Sequence, residues 1–256
     1  MFKTEAEGAF FVGYLPTPAT SKRFLKRALL VLIVIIGGLA LLLAAGQRDP
    51  GDGVWDLDEI KSLEGVVAVD PCPLIRVNRP GEGAVTVLVV SEGKVGARER
   101  LEGMSGRVVR LNGHILQRGA VMMLESDDGA EAIKAMDNGS RRNELEKVVW
   151  GGDVVLQGEL VDPKCFAGAM KPGEGKTHKA CAVLCIRGGI PALFMAVEEG
   201  KSVPYLVVDA QGKSPRGDSL ERLLPYVGDW TEVHGRAGRL GNLRVLEILA
   251  DGIHRR

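Results

Sequence analysis

The chain lacks net charge, because 33 lysine and arginine residues are balanced by 33 aspartate and glutamate residues. A balanced charge gives no reason to expect nucleic acid or another polyanion as the partner. The sequence also lacks a phosphate-binding loop of the usual spacing, a Cys-x2-Cys pair and a hydrolase pattern around a serine. The function therefore has to be sought in local features of the chain.

Segment 28–46 is the most informative local feature, because it has no charged side chain over nineteen positions. A transmembrane helix needs about 20 apolar residues, so we predict one here. Four basic residues precede the segment: Lys22, Arg23, Lys26 and Arg27. The positive-inside rule then puts tail 1–27 in the cytoplasm and the rest in the bacterial periplasm, anchored to the inner membrane. A cleaved signal peptide is the alternative, but the long leader and long apolar stretch favour an anchor.

The remaining chain is divided by changes in composition. Segment 47–60 is predicted to be a linker, because it is polar and rich in turn-forming residues through Gly53. A first β-barrel repeat is predicted at 61–126 and a second at 148–256. Between them, 127–147 is charged, and its helix-compatible composition predicts a helical connector.

An internal repeat underlies this division. Three pairs of segments match in the same order: 63–72 with 156–165, 87–94 with 205–213, and 107–113 with 230–235. Ordered matches predict a duplicated domain, and short β-branched runs between Gly, Pro and Asp are typical of small antiparallel barrels. The order strand, hairpin, short helical connection, hairpin resembles an OB-like barrel. The predicted fold class is mainly β, with one transmembrane helix followed by two tandem OB-like barrels, and this resemblance assigns no function.

The second repeat contains an insertion, 166–203, that the first repeat lacks. Loops on a rigid scaffold tolerate elaboration and commonly carry function. Within the insertion we predict a helix at 179–186, with Thr177 as its N-cap and Gly188 and Gly189 as its stop.

Candidate metal ligands cluster on this predicted helix. His178, Cys181 and Cys185 are spaced i, i+3 and i+7, so their side chains share one helix face. Cys165 ends the preceding strand and can add a fourth ligand, which gives a Cys₃His set suited to zinc. Met170 offers a thioether, and thiolate, imidazole and thioether together favour copper instead. The sequence therefore predicts a zinc or copper site.

The cysteines also allow other interpretations. Four cysteines in an exported domain can form disulfides, and Cys72 and Cys165 can each pair with a helix cysteine or with one another. A bond between Cys181 and Cys185 across one helical turn fits disulfide geometry poorly. A redox-active thiol pair and a cysteine nucleophile are further interpretations, but the sequence points to no base or orienting partner for catalysis.

Two resemblances involve the same residues. Cys-x3-Cys with a nearby His is similar, in ligand types only, to the copper-holding elements of cytochrome oxidase subunit II and of the copper chaperones that load it. The stretch 161–191 resembles a pattern that recurs in uncharacterised exported bacterial proteins, namely Asp-x-x-Cys, then His-x2-Cys-Ala-x2-Cys, then Gly-x-Pro. Neither resemblance implies an activity.

These observations predict a non-enzymatic, membrane-anchored periplasmic accessory protein, acting as a subunit or assembly factor of a respiratory or metal-handling envelope complex. Its expected partners are the membrane and other membrane or periplasmic subunits, without nucleic acid. The alternative is a scaffold or interaction module whose cysteines are purely structural.

Overall fold

The computed structural model describes residues 17–47, 51–79, 81, 83–136 and 147–256. The chain divides into two compact units, Met1–Asp49 and Pro50–Arg256. Most of the predicted tail, three residues of the linker and segment 137–146 of the predicted connector lie outside the described residues.

The first unit contains one long helix, α1 (Ala19–Gly46), of 28 residues. It begins before the predicted segment and so includes the four basic residues that precede the apolar run. At 1.5 Å per residue it is about 42 Å long, more than a bilayer core of about 30 Å requires. Its apolar window has a mean hydropathy of 3.0 and no buried residue. A helix of this kind suits a membrane anchor and equally a signal sequence.

The second unit begins with a five-stranded barrel, to whose edge a short sixth strand is added. The strands are β1 (Val54–Ala68), β2 (Leu74–Arg79), β3 (Gly83–Ser91), β4 (Val108–Arg118), β5 (Val121–Ser126) and β6 (Ile133–Ala135). Their order is β1-β2-β3-β5-β4, and β4 pairs back with β1 to close the barrel. Only β3 and β5 run parallel among these described pairs, and β6 pairs with β4.

A second closed barrel follows in the same unit. Its strands are β7 (Val149–Val161), β8 (Leu193–Glu198), β9 (Lys201–Val208), β10 (Trp230–Leu240) and β11 (Leu243–Arg255). Their order, β7-β8-β9-β11-β10, matches that of the first barrel, and β9 and β11 are again parallel. A short helix, α3 (Asp218–Leu223), connects β9 to β10. The prediction of a mainly β chain with two barrels is thus confirmed.

Glycine allows the first strand of each barrel to pack closely on the second. A Cβ atom on Gly65 would lie 1.9 Å from the Arg76 carbonyl oxygen, and one on Gly158 would lie 2.0 Å from that of Met195. No other residue permits this approach without a shift of the backbone. The two glycines therefore permit the close approach of the first strand to the second in each barrel.

The core has three parts because the central strands are buried on both faces. On β3, Val87 and Val89 pack inside the first barrel, and on β9, Tyr205 and Val207 pack inside the second. The alternate residues of these strands form a shared core between the barrels. This shared core includes Leu88, Val90, Met123, Leu206, Val208, Val245, Cys72, Cys165 and Cys185. Two-sided burial also explains why both strands are continuous apolar runs.

Three predicted boundaries are corrected. Segment 54–60 belongs to β1 rather than to the linker, because it begins the pairing with β4. Residues 133–135 form β6 rather than a helix, because the edge of β4 offers hydrogen-bond partners that override local helix propensity. The predicted insertion 166–203 contains β8, so the added segment ends before Leu193.

Candidate metal centre

The centre begins at the turn that follows β7. Asp162 is completely buried, and its Oδ1 accepts a hydrogen bond of 2.9 Å from the backbone N–H of Cys165. This bond fixes the start of a single π-helical turn, Cys165–Ala169. Such turns are frequent at functional sites. The Asp162 carboxylate therefore places the Cys165 thiol in the shared core.

The second element of the centre is helix α2 (Lys179–Arg187), which confirms the predicted helix. Its N-cap is His178 rather than Thr177. The His178 ring does not cap the helix, because its Nε2 lies 3.1 Å from Asp162 Oδ2, and both side chains are buried. An ionised carboxylate only accepts hydrogen bonds, so Nε2 donates to it, and in the neutral imidazole Nδ1 then has a lone pair for a metal ion.

The described residues bring the donors together as two groups. The first donor group is Cys165, His178 and Cys181, and the second donor group is Asp162, Cys165 and Cys185. Within each group the ligand atoms lie within 4.8 Å of one another. The predicted four ligands are thus close together but divided, because His178 and Cys185 are seven residues apart, or about 10 Å along a helix axis. Cys165 lies between them and belongs to both groups.

Two further sulfur-bearing residues figure in the predictions, Met170 as a metal ligand and Cys72 as a disulfide partner. Met170 is 49% exposed, whereas Cys165 and His178 are buried. Cys72 is buried in the shared core, and burial raises its pKa to about 12. All four cysteines are free thiols in the described chain, with no disulfide between them.

A lysine from the first barrel faces the cysteines. Lys94 follows β3, and its ammonium donates to Cys181 Sγ at 2.6 Å and to Cys185 Sγ at 3.8 Å. Hydrogen bonds from a cation stabilise thiolates in the same way as they stabilise carboxylates. The first barrel therefore supplies positive charge to the thiols of the second barrel.

A second lysine crosses between the barrels in the opposite direction. Lys164 lies in the turn before Cys165 and is only 3% exposed. Its ammonium forms a buried ion pair with Glu125 of β5 and donates to the carbonyl oxygens of Ser91, at 3.0 Å, and Gly93, at 2.6 Å. All three acceptors belong to the first barrel, so Lys164 attaches the cysteine turn to it.

Direct backbone contact completes this interface. Gly96 N–H donates to the carbonyl oxygen of Gly188 at 2.9 Å, just after α2 ends. A Cβ on Gly188 would lie 1.8 Å from the Lys94 carbonyl oxygen. Gly188 therefore ends the helix, as predicted, and also lets the segment carrying Lys94 approach the thiols.

The thiols of the centre differ in acidity because they share a proton. A hydrogen bond from Cys165 lowers the pKa of Cys185 to about 7, with a further contribution from the Lys94 ammonium. The same hydrogen bond, together with burial, raises the pKa of Cys165 well above its ordinary value. Cys165 therefore keeps its proton and donates it toward a Cys185 thiolate in the metal-free chain.

This asymmetry predicts a titration near neutral pH. In the metal-free full-length chain, thiolate absorbance in the ultraviolet should rise near pH 7 and be lost in Cys185→Ser. Lys94→Met should move the titration to higher pH, because it removes a positive charge that favours the thiolate. Lys134→Met, an exposed change in β6, is the control and should leave the curve in place. Identical curves for Lys94→Met and the control would contradict this electrostatic role.

Sequence reasoning missed four residues of the centre. Asp162 is the aspartate of the Asp-x-x-Cys pattern, so the sequence pointed to this residue but assigned it no role. Lys94, Lys164 and Glu125 carry no local signal, because they reach the centre only through the packing of the two barrels. No protein-family model, no curated protein and no solved structure matches the chain, so the function of the centre has to be argued from its own geometry.

Proposed function

We propose that the chain is a membrane-anchored accessory protein that binds a thiophilic metal ion in its first donor group. The observation that carries this proposal is that the ligand atoms of Cys165, His178 and Cys181 lie within 4.8 Å of one another. Cys165 comes from the turn after β7, and the other two residues come from helix α2 and its N-cap. In tetrahedral zinc sites, Zn–S bonds of about 2.3 Å put sulfurs about 3.8 Å apart. Asp162 supports the proposal further, because metal-binding histidines commonly donate their second ring N–H to a carboxylate.

Zinc suits this donor group better than copper. Two thiolates and one imidazole are a known zinc set, and they leave a fourth tetrahedral position open. The thioether that would favour copper belongs to Met170, which is 49% exposed, whereas Cys165 and His178 are buried. An open position beside the half-buried Cys181 suits an assembly factor or complex subunit that passes the ion on or binds a partner's group.

The membrane setting is part of the proposal. Helix α1 is long and apolar enough to span a bilayer, and the positive-inside rule puts its basic start in the cytoplasm and the barrels in the bacterial periplasm. Fusing alkaline phosphatase, which is active only outside the cytoplasm, after Arg256 should give an active enzyme. Fluorescence of green fluorescent protein at the same position would instead indicate a cytoplasmic location and contradict this orientation.

We further propose that the barrels are OB-like and arose by duplication. Their common strand order supports this, as does the parallel pair in each, which joins Leu88 to Met123 in one and Leu206 to Val245 in the other. The matching sequence segments fall on corresponding strands, and Gly65 and Gly158 occupy corresponding close contacts. The metal-binding site is then a feature added to the second copy of the duplicated barrel.

Metal analysis of the full-length chain in detergent tests the central claim. We expect bound zinc in the purified protein, because three donors, one of them an oriented imidazole, form its site. His178→Ala and Cys181→Ser should each weaken zinc binding strongly, as measured by competition with a chromogenic chelator. Cys72→Ser is the matched control, because Cys72 is buried in the same core but lies outside both donor groups.

Two results would contradict the claim. One is a wild-type chain that binds neither zinc nor copper after reduction and reconstitution. The other is unchanged affinity in both variants. If the chain binds no metal and a Cys181→Ser, Cys185→Ser variant keeps its membrane partners, the scaffold interpretation is favoured instead.

A further inference from the structure

The second donor group contains a buried carboxylate, that of Asp162. Asp162 is 0% exposed, and within the described residues no lysine or arginine forms an ion pair with it. Its one ionic contact is His178, which is neutral when it binds a metal ion through Nδ1. Buried charges in proteins are generally paired or bind metal ions. A divalent ion beside Asp162 would therefore balance the charge of its carboxylate.

We propose that the centre holds two divalent ions bridged by the Cys165 thiolate. One ion binds Cys165, His178 and Cys181, and the other binds Asp162, Cys165 and Cys185. This inference rests on the proposed metal-binding function and extends it from one ion to two.

The positions of the donors favour two ions over one. Cys165 belongs to both groups of ligand atoms that lie within 4.8 Å, whereas His178 and Cys185 share no group. A thiolate sulfur has lone pairs for two ions at about 2.3 Å each. Ions in two-metal sites lie about 3.5–4 Å apart, which a single bridging sulfur spans. One ion alone would leave either Cys185 or His178 outside its coordination.

Asp162 can serve both ions without losing its present contacts. Its Oδ1 accepts from Cys165 N–H and its Oδ2 accepts from His178 Nε2. Each carboxylate oxygen has two acceptor sites, so each retains one for an ion. The carboxylate then orients the imidazole of the first ion while it binds the second.

The charges of the centre accommodate this occupancy. Three thiolates and the Asp162 carboxylate carry four negative charges, which equal the charge of two divalent ions. The nearby Lys164–Glu125 pair cancels internally. Lys94 donates to Cys181 and Cys185 and adds one positive charge at the exposed side of the centre.

Ion stoichiometry tests the inference in the full-length chain in detergent. After reduction and reconstitution with Zn²⁺, we expect two ions per chain in the wild type and in the Cys72→Ser control. Cys185→Ser should retain one ion in the first donor group, and Cys181→Ser should retain one in the second. With Co²⁺ in place of zinc, the bridging sulfur should couple the two electron spins, so the paramagnetic resonance signal per ion is weaker in the wild type than in Cys185→Ser.

The outcomes separate the two levels of the proposal. One ion per wild-type chain, with Cys185→Ser unchanged, overturns the second ion and leaves the proposed function intact. No bound ion in the wild type overturns both. If Cys185→Ser does not fold, the wild type loaded with increasing amounts of Co²⁺ decides the question. A paramagnetic resonance signal per Co²⁺ that falls as loading increases supports the bridge. A signal per Co²⁺ that stays constant contradicts it.

Discussion

Replacing Lys164 with methionine is expected to lower the free energy of unfolding by about 3–5 kcal/mol, the usual cost of removing one partner from a buried ion pair. Methionine preserves the length of the side chain but leaves the Glu125 carboxylate, which is 4% exposed, without a counter-charge. The carbonyl oxygens of Ser91 and Gly93 lose their donor as well. Urea denaturation of the full-length chain in detergent, followed by tryptophan fluorescence, measures the effect.

Two comparisons identify the cause. Adding Glu125→Gln to Lys164→Met should restore part of the stability, because no unpaired charge then remains. Arg187→Met, which breaks an exposed ion pair with Glu221, should change stability little. If Lys164→Met is as mild as Arg187→Met, the Lys164–Glu125 pair does not hold the barrels together.

Replacing Cys165 with serine is expected to remove metal binding more completely than any other single change. Cys165 is the only residue common to both donor groups among the described residues, and a serine hydroxyl is a poor ligand for thiophilic ions. Changes beside metal ligands commonly cost about 10–100-fold in affinity, and the loss of this ligand should exceed that. Competition with a chelator of known zinc affinity measures the change.

The matched control for this variant is again Cys72→Ser. Both cysteines are buried in the shared core, so both substitutions place a hydroxyl among apolar side chains. Equal stability losses with different zinc affinities would assign the effect of Cys165 to coordination. Zinc affinity in Cys165→Ser within tenfold of the wild type would show that the ion binds through other donors.

Much of the fold follows from patterns that the sequence carries locally. The charge-free run predicts the helix that includes it, and the β-branched runs through Val87 and Leu206 predict strands of the two barrels. The errors occur where tertiary pairing decides. Residues 133–135 become a strand because β4 has an open edge, and 54–60 join β1 because β4 extends far enough to pair with them.

Of the candidate site, the sequence could predict only the donors that share one helix face. The spacing of His178, Cys181 and Cys185 identifies donors on one helix, but it does not show that the donors fall into two groups that share Cys165. Lys94 contacts the thiols from 87 positions away in the chain, and Lys164 reaches Glu125 across 39. Such contacts depend on how the barrels pack, which no local pattern encodes.

The reciprocal lysine contacts between the barrels have a consequence for how the protein matures. Lys164 inserts from the second barrel into the first, while Lys94 extends from the first toward the thiols of the second. A newly made chain therefore completes its thiol centre only after both halves have folded and docked. Metal capture would then follow the docking of the two barrels, and unfinished chains would carry more accessible thiols.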